Sequence, residues 1–256
     1  MIITITNGKG GVGNTSTAVS IANYLANAGK NILLADIDLQ GNVAMSLGID
    51  TGPQMTNYLD HGPLELCKSG RDNLTVLPAD GSLEGVETVT RVRSSMRKGV
   101  LDELATRLRN AGDGFDHTII DTPKQGELRK AAVIAADAIV IPTKLDYNSA
   151  SNTIAMVVAA RTLNPGTTIT VLPIAKDGRR KRIQNEAISM VASEIYNMGI
   201  NAAIWLQGIP LSASLENAGW SGKTVYEDID CRPVAAAYSD FADWLLKGGV
   251  NAQTDK

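Results

Sequence analysis

Gly8-Lys9-Gly10-Gly11-Val12-Gly13-Asn14-Thr15 sits at the junction that sets the fold of this chain. Ahead of it, residues 2–6 are a β-branched run of strand length. Behind it, residues 15–28 place Ala18, Ile21, Ala22 and Leu25 on one helical face. Glycines between a strand and a helix let the backbone turn tightly and aim successive N–H groups inward. The helix N-terminus adds its dipole to the same point. A junction of this kind is a phosphate cradle, and its context is what distinguishes it from a glycine-rich turn.

The phosphate-loop pattern is G-x4-G-K-[ST]. Gly8, Gly13 and Thr15 match it, and Thr15 offers a hydroxyl to Mg²⁺. Asn14 stands where the pattern has lysine. That lysine normally reaches the β- and γ-phosphates as a point charge, whereas asparagine is neutral and shorter. Losing one charged hydrogen bond costs about 1.5–3 kcal/mol, or roughly ten- to over a hundredfold in affinity or rate. The backbone cradle from Gly8 to Ser16 survives the change, so nucleotide binding should weaken and hydrolysis should suffer more.

Outward from the loop, strand-length apolar runs alternate with helix-period segments. Strands are expected at 31–35, Leu74–Leu77, 118–121, 138–142 and Thr168–Ile174, with a late one at 202–206. Helices are expected at 98–110, 128–136, 153–163, 182–198 and 234–246. This alternation predicts an α/β fold: a doubly wound, mostly parallel sheet with helices on both faces. No repeat or long Pro/Gly/Ser linker divides the chain, which predicts one domain over 1–247 and a frayed tail over 248–256. Residues 50–73 and 79–97 are expected to be irregular surface excursions.

Composition limits the function classes. With 24 Lys plus Arg against 27 Asp plus Glu, the net charge of −3 excludes a globally basic nucleic-acid coat but allows a local patch. Aromatics at 4% argue against a stacking platform for single strands. Cys67 and Cys231 form no CxxC or metal-ligand spacing, which suits a reducing compartment. His61 and His117 are read as surface residues. Neither a signal peptide nor an 18-residue apolar run is present, and a cytoplasmic location follows as the expectation.

At its phosphate loop the chain resembles the deviant-Walker-A ATPases, the ParA/MinD family, and within it the small ParA-type partition or cargo-positioning ATPases. Their loop reads KGGxGK[ST], and Lys9 falls on its first, signature lysine. Asp36-Ile37-Asp38-Leu39-Gln40-Gly41-Asn42 resembles their D-x-D-P-Q-G-N, with Leu39 replacing proline. Phe115–Pro123 resembles their Walker B segment, and 135–143 resembles their A-A-D-x-V-I-I-P strand. After Pro123, Lys124-Gln125-Gly126 departs from the further proline common in the family. The resemblance implies ATP or ADP with Mg²⁺ at Gly8, Lys9, Gly10, Gly11, Val12, Gly13, Asn14, Thr15 and Ser16, with Pro210 of Gly208-Ile209-Pro210-Leu211 near the adenine. It implies metal contacts from Thr15, Asp38 and Asp121, the last through water. Asp38 would activate the attacking water, and Lys9 would reach the partner's phosphates in a nucleotide-sandwich homodimer.

Lys176-Asp177-Gly178-Arg179-Arg180-Lys181-Arg182 places five cations in seven residues. Cations at a helix N-terminus oppose its dipole, so helix stability alone does not favour them there. With the resemblance, Lys176, Arg179, Arg180 and Arg182 are candidates for non-specific duplex DNA, which needs charge but no base-reading pattern. The function implied is ATP-dependent positioning of a plasmid, chromosome or protein body such as a carboxysome, through a ParB-like or other adaptor, in the nucleoid. No helix-turn-helix extension precedes the loop, so operator-specific repression is not expected. The alternative is a MinD-like membrane-cycling ATPase. Its lipid-binding helix would be Asp240–Lys247, which starts acidic and suits anionic lipid poorly, so no stable membrane association is expected. A third class is a metabolic enzyme of the wider superfamily, a nitrogenase-reductase relative or a synthetase. The first would need paired cysteines near the site, and Cys67 and Cys231 fit no such spacing.

Overall fold

A computed structural model describes residues 1–249; residues 250–256, most of the tail expected to fray, lie outside the described residues. The chain order is β1 (Ile2–Ile5), α1 (Asn14–Asn27), β2 (Ile32–Asp36), α2 (Asn42–Leu47), α3 (Gln54–Leu59), β3 (Cys67–Lys68), β4 (Leu74–Leu77), α4 (Leu83–Met96), α5 (Val100–Ala111), β5 (His117–Asp121), α6 (Glu127–Ala135), β6 (Ala138–Lys144), α7 (Tyr147–Leu163), β7 (Thr168–Ile174), α8 (Lys181–Asn197), β8 (Ala203–Ile204), α9 (Ser214–Trp220) and α10 (Arg232–Leu246). The described strands form one eight-stranded sheet in the order β3-β4-β2-β5-β1-β6-β7-β8. Every pairing is parallel except the β3 edge, which runs antiparallel to β4. The doubly wound architecture expected from the alternation is the one observed.

Strands covered on both faces should read as continuous apolar runs, and β2 (ILLAD) does, with every residue buried. Its alternate side chains go to opposite layers. Ile32 and Leu34 join Ile21 and Leu25 of α1 and Phe241 of α10, while Leu33 and Ala35 join Leu104 and Leu108 of α5 and Leu128 of α6. A third cluster lies between β6, β7, α7 and α8. Tyr238 of α10 reaches through the first layer to Thr17 of α1, with the two hydroxyls 3.1 Å apart.

Four sequence expectations are corrected. The 50–73 and 79–97 stretches hold α3, β3 and the fourteen-residue α4. In α4 only Leu83 and Thr90 are buried, so it never shows the apolar stripe that marks a helix in sequence. Helix α7 begins at Tyr147 rather than 153 because Asp146 caps it, accepting from Ser149 N–H at 2.9 Å. Helix α9 was not anticipated. His117 is half-buried at the start of β5, and burial holds its imidazole below the ordinary histidine value.

Candidate phosphate site

The carboxyl ends of β1, β2 and β5 lie side by side, which is where a parallel sheet presents its ligand site. The loop after β1 is anchored by buried Asn7. Its Nδ2 donates to Pro142 O at 2.6 Å, and its Oδ1 accepts from Lys9 N–H at 3.1 Å. Gly11 and Gly13 have φ of 70° and 78°, left-handed conformations that glycine adopts without strain. Gly13 also packs tightly: a Cβ there would come within 3.0 Å of Ile174 Cδ1.

Thr15 Oγ1 donates to Asp121 Oδ2 at 2.6 Å. Asp121 Oδ1 is buried with no partner among the described residues. The register of β2 and β5 sets Asp36 directly beside Asp121. Burial pushes Asp36 up to about 7, although its carboxylate accepts from Asp38 N–H at 2.8 Å and Val43 N–H at 3.1 Å. Burial and the neighbouring Asp36 raise Asp121 well above the ordinary range. An orphaned carboxylate oxygen beside a hydroxyl is a fitting donor set for a hard cation. Among the described residues no group of three or more His, Cys, Asp or Glu could hold a metal by itself. A Mg²⁺ held at Thr15 and Asp121 would need phosphate oxygens or water to complete its shell.

Asp38, Thr15, the loop from Lys9 to Ser16 and Pro210 line one open cleft of about 1270 Å³. Gly8 lies at the loop entrance, where a Cβ would meet Arg129 Nη1 at 3.4 Å. Asp38 Oδ1 accepts from Gln40 N–H at 3.1 Å. Asn14 Nδ2 donates to Thr122 O at 3.5 Å, while its buried Oδ1 has no donor among the described residues. Lys9 turns onto its own α7: its Nζ donates to Ser149 Oγ at 2.9 Å and lies 3.6 Å from Asp146 Oδ1. Burial alone would raise the Asp146 carboxyl, but Ser149 and Lys9 hold it below the usual range.

The basic cluster divides. Lys176 is half-buried and donates from Nζ to Leu206 O at 2.7 Å and Gln207 O at 2.9 Å. Its burial lowers its pKa, and it supports the 208–211 loop rather than presenting a free charge. Arg179, Arg180 and Arg182 are exposed. Arg179 forks onto Asp177, Nη2 to Oδ2 at 2.9 Å, and Arg182 lies 3.7 Å from Glu186.

Sequence reasoning missed the α4 contribution to this site. Glu87 accepts from Glu127 N–H at 2.8 Å and Leu128 N–H at 3.0 Å, capping α6 just after the Walker B strand. No local spacing signals that contact, since it joins residues forty apart.

A family model described as an AAA domain (AAA_31) matches residues 1–164. The chain is 27% identical over 251 residues to the chromosome-partitioning ATPase Soj of Thermus thermophilus, covering 95% of this chain and 94% of that one. It superposes on apo McdA of Cyanothece with a TM-score of 0.78 at 20% identity, over 94% of this chain and 98% of that one, a likeness of fold. It also resembles cobyrinic acid a,c-diamide synthase of Mycobacterium smegmatis with bound ADP and magnesium, with a TM-score of 0.75 at 26% identity over 100% and 98% of the two chains. A matched model over more than half the chain, a full-length Soj relative and a phosphate loop with the signature lysine agree: the chain belongs to the ParA/MinD family of P-loop ATPases.

Proposed function

We propose that this chain is a ParA-type positioning ATPase that binds ATP with Mg²⁺, closes into a nucleotide-sandwich homodimer and holds non-specific duplex DNA. An adaptor protein of the ParB-like kind would link it to its cargo on the nucleoid. The observation that carries this reading is the Thr15–Asp121 pair on a glycine loop, with Asp38 lining the same cleft.

The residues have separable roles in it. Gly10 to Thr15 would bind the phosphates through main-chain N–H groups. Asp121 would hold the metal's water shell. Asp36 stays inside the sheet and takes the Asp38 N–H, which fixes the backbone from which the Asp38 carboxylate meets the attacking water and accepts its proton. When bound, Mg²⁺ supplies charge neutralisation on the phosphates. Lys9 would exchange Ser149 and Asp146 for the partner's phosphates on dimerisation. DNA would be held by Arg179, Arg180 and Arg182. The apolar side of α10, with Val234, Tyr238, Phe241 and Leu245 buried, is committed to the core, so no observation favours a lipid-binding role for it. Among the described residues no helix is long and apolar enough to cross a membrane.

Calorimetric titration with ATP and ADP in Mg²⁺, light scattering and gel shifts on two unrelated duplexes test the reading. The expected result is binding by this chain, tighter by roughly tenfold or more in Asn14→Lys, with ATP-dependent dimers that shift both duplexes. No nucleotide binding by either chain at millimolar concentrations would overturn it.

A further inference from the structure

The phosphate loop lacks its lysine, yet the stem of a different lysine lies beside it. Asn14 donates to the Thr122 carbonyl, and two residues further on comes Lys124. The Lys124 Cδ lies 4.0 Å from where a Cβ on Gly10 would be, so its stem touches the loop there, and both residues line the same cleft. Of the other lysines lining the cleft, Lys9 is paired with Asp146 and Lys130 with Glu127, while Lys144 ends β6 and makes no contact with the loop glycines comparable to that of Lys124 with Gly10. Lys124 is exposed and has no ion-pair partner among the described residues. Its backbone is held in place: Arg129 Nη1 donates to Lys124 O at 2.9 Å. That guanidinium also has no carboxylate partner among the described residues, and it packs at the start of the loop beside Gly8.

We propose that Lys124 supplies the phosphate-directed charge that Asn14 cannot, with Arg129 as the positioning residue that holds the Lys124 backbone beside the loop. This rests on reading the cleft as a nucleotide site. The chemistry is complementary. The buried Asn14 Oδ1 lacks a donor among the described residues, and an unmatched acceptor next to a phosphate repels it. A lysine ammonium carries three donors and no acceptor, so one cation can satisfy the amide oxygen and a phosphate oxygen together. A four-carbon stem that starts free can follow the phosphate without disturbing the backbone.

The test is a double-mutant cycle on nucleotide affinity, read by calorimetric titration of ADP and of a non-hydrolysable ATP analogue, each with Mg²⁺. The chains are the original, Lys124→Met, Asn14→Lys and the double variant; methionine keeps the apolar stem and removes the charge. Fixing a free lysine offsets part of the gain, so Lys124→Met should weaken binding by about tenfold in the original chain. In the Asn14→Lys background the same change should cost less than about twofold, because the motif lysine then occupies the site. Equal weakening in both backgrounds, or none in the original, overturns the inference. Arg129→Gln should follow the same pattern, rescued by Asn14→Lys and by the conservative Arg129→Lys; loss in every background would make Arg129 merely structural. If no chain binds nucleotide, the cleft reading itself fails. If the Asn14→Lys chains bind and the original is indifferent to Lys124, only this inference does.

Discussion

Asp36 and Asp38, two positions apart, are placed for opposite ends. Asp36 is fully buried and its oxygens serve the backbone, whereas Asp38 lines the cleft. Replacing Asp36 with Ala strands two N–H donors in the interior and should lower stability by about 2–4 kcal/mol, measured by urea unfolding. Asp38→Ala should leave stability within about 0.5 kcal/mol. In the Asn14→Lys background it should abolish ATP turnover while ATP-driven dimers persist. Retention of full turnover there would remove Asp38 from the mechanism. The proposed role of Lys9 on a partner's phosphates requires its contact with Asp146 and Ser149 to be given up.

Helix ends carry the element-scale argument. Gly41 precedes α2 with φ of 61°, and a Cβ on it would lie 2.6 Å from Ala79 O. Gly41→Ala should therefore destabilise by about 2–3 kcal/mol, the left-handed penalty plus a backbone clash; thermal unfolding would show it. At α6, Glu87 is a cap delivered from another helix. Glu87→Ala should cost about 1 kcal/mol and raise hydrogen exchange across 122–128, with Glu87→Gln intermediate. Exchange unchanged in that segment would show that the cap does not fix it.

Two predictions belong to the whole molecule. Arg71, from the β3–β4 connection, donates to Leu47 O at 2.9 Å and Gly222 O at 3.0 Å, and pairs with Glu227 at 2.7 Å, so it ties three distant segments together. Burial alone would raise Glu227, but Arg71 and the Thr224 N–H hold it below its ordinary 4.5. A depressed carboxyl stabilises the fold above its unfolded pKa, and the contribution is lost as pH falls through the folded value. Stability should fall in acid below about pH 4.5 from this source. Arg71→Met should lower stability at pH 7 by about 1–2 kcal/mol, discounted because Glu227 is 39% exposed, and should flatten that acid limb in urea unfolding across pH. On the DNA side, Arg180→Ala with Arg182→Ala should weaken binding alike on unrelated duplexes and reduce the log–log salt slope by about two units per protomer. Lys176→Ala should leave the slope unchanged, because its ammonium is spent on the 206–207 carbonyls.

What the sequence determined by itself is what local order encodes. The glycine loop between a strand and a helix, and the apolar runs of β2, β5, β6 and β7, depend on neighbours a few residues away, and the sheet follows from their alternation. Thr15, Asp38 and Asp121 could be singled out because they lie in the first turn of α1, two residues past β2 and at the end of β5, all at the sheet's carboxyl edge. Tertiary structure alone decided the rest. Helix α4 buries too little to leave a periodic trace, yet it caps α6. Five clustered cations look equivalent in sequence, but the fold ties Lys176 to the Leu206 and Gln207 carbonyls and leaves Arg180 in solvent. Lys124 reads as a departure from a motif until the fold brings its stem into contact with Gly10. A side chain's role depends on which carbonyl or carboxylate the fold brings within about 3 Å of it, and residues far apart in the chain carry no shared period to announce that meeting.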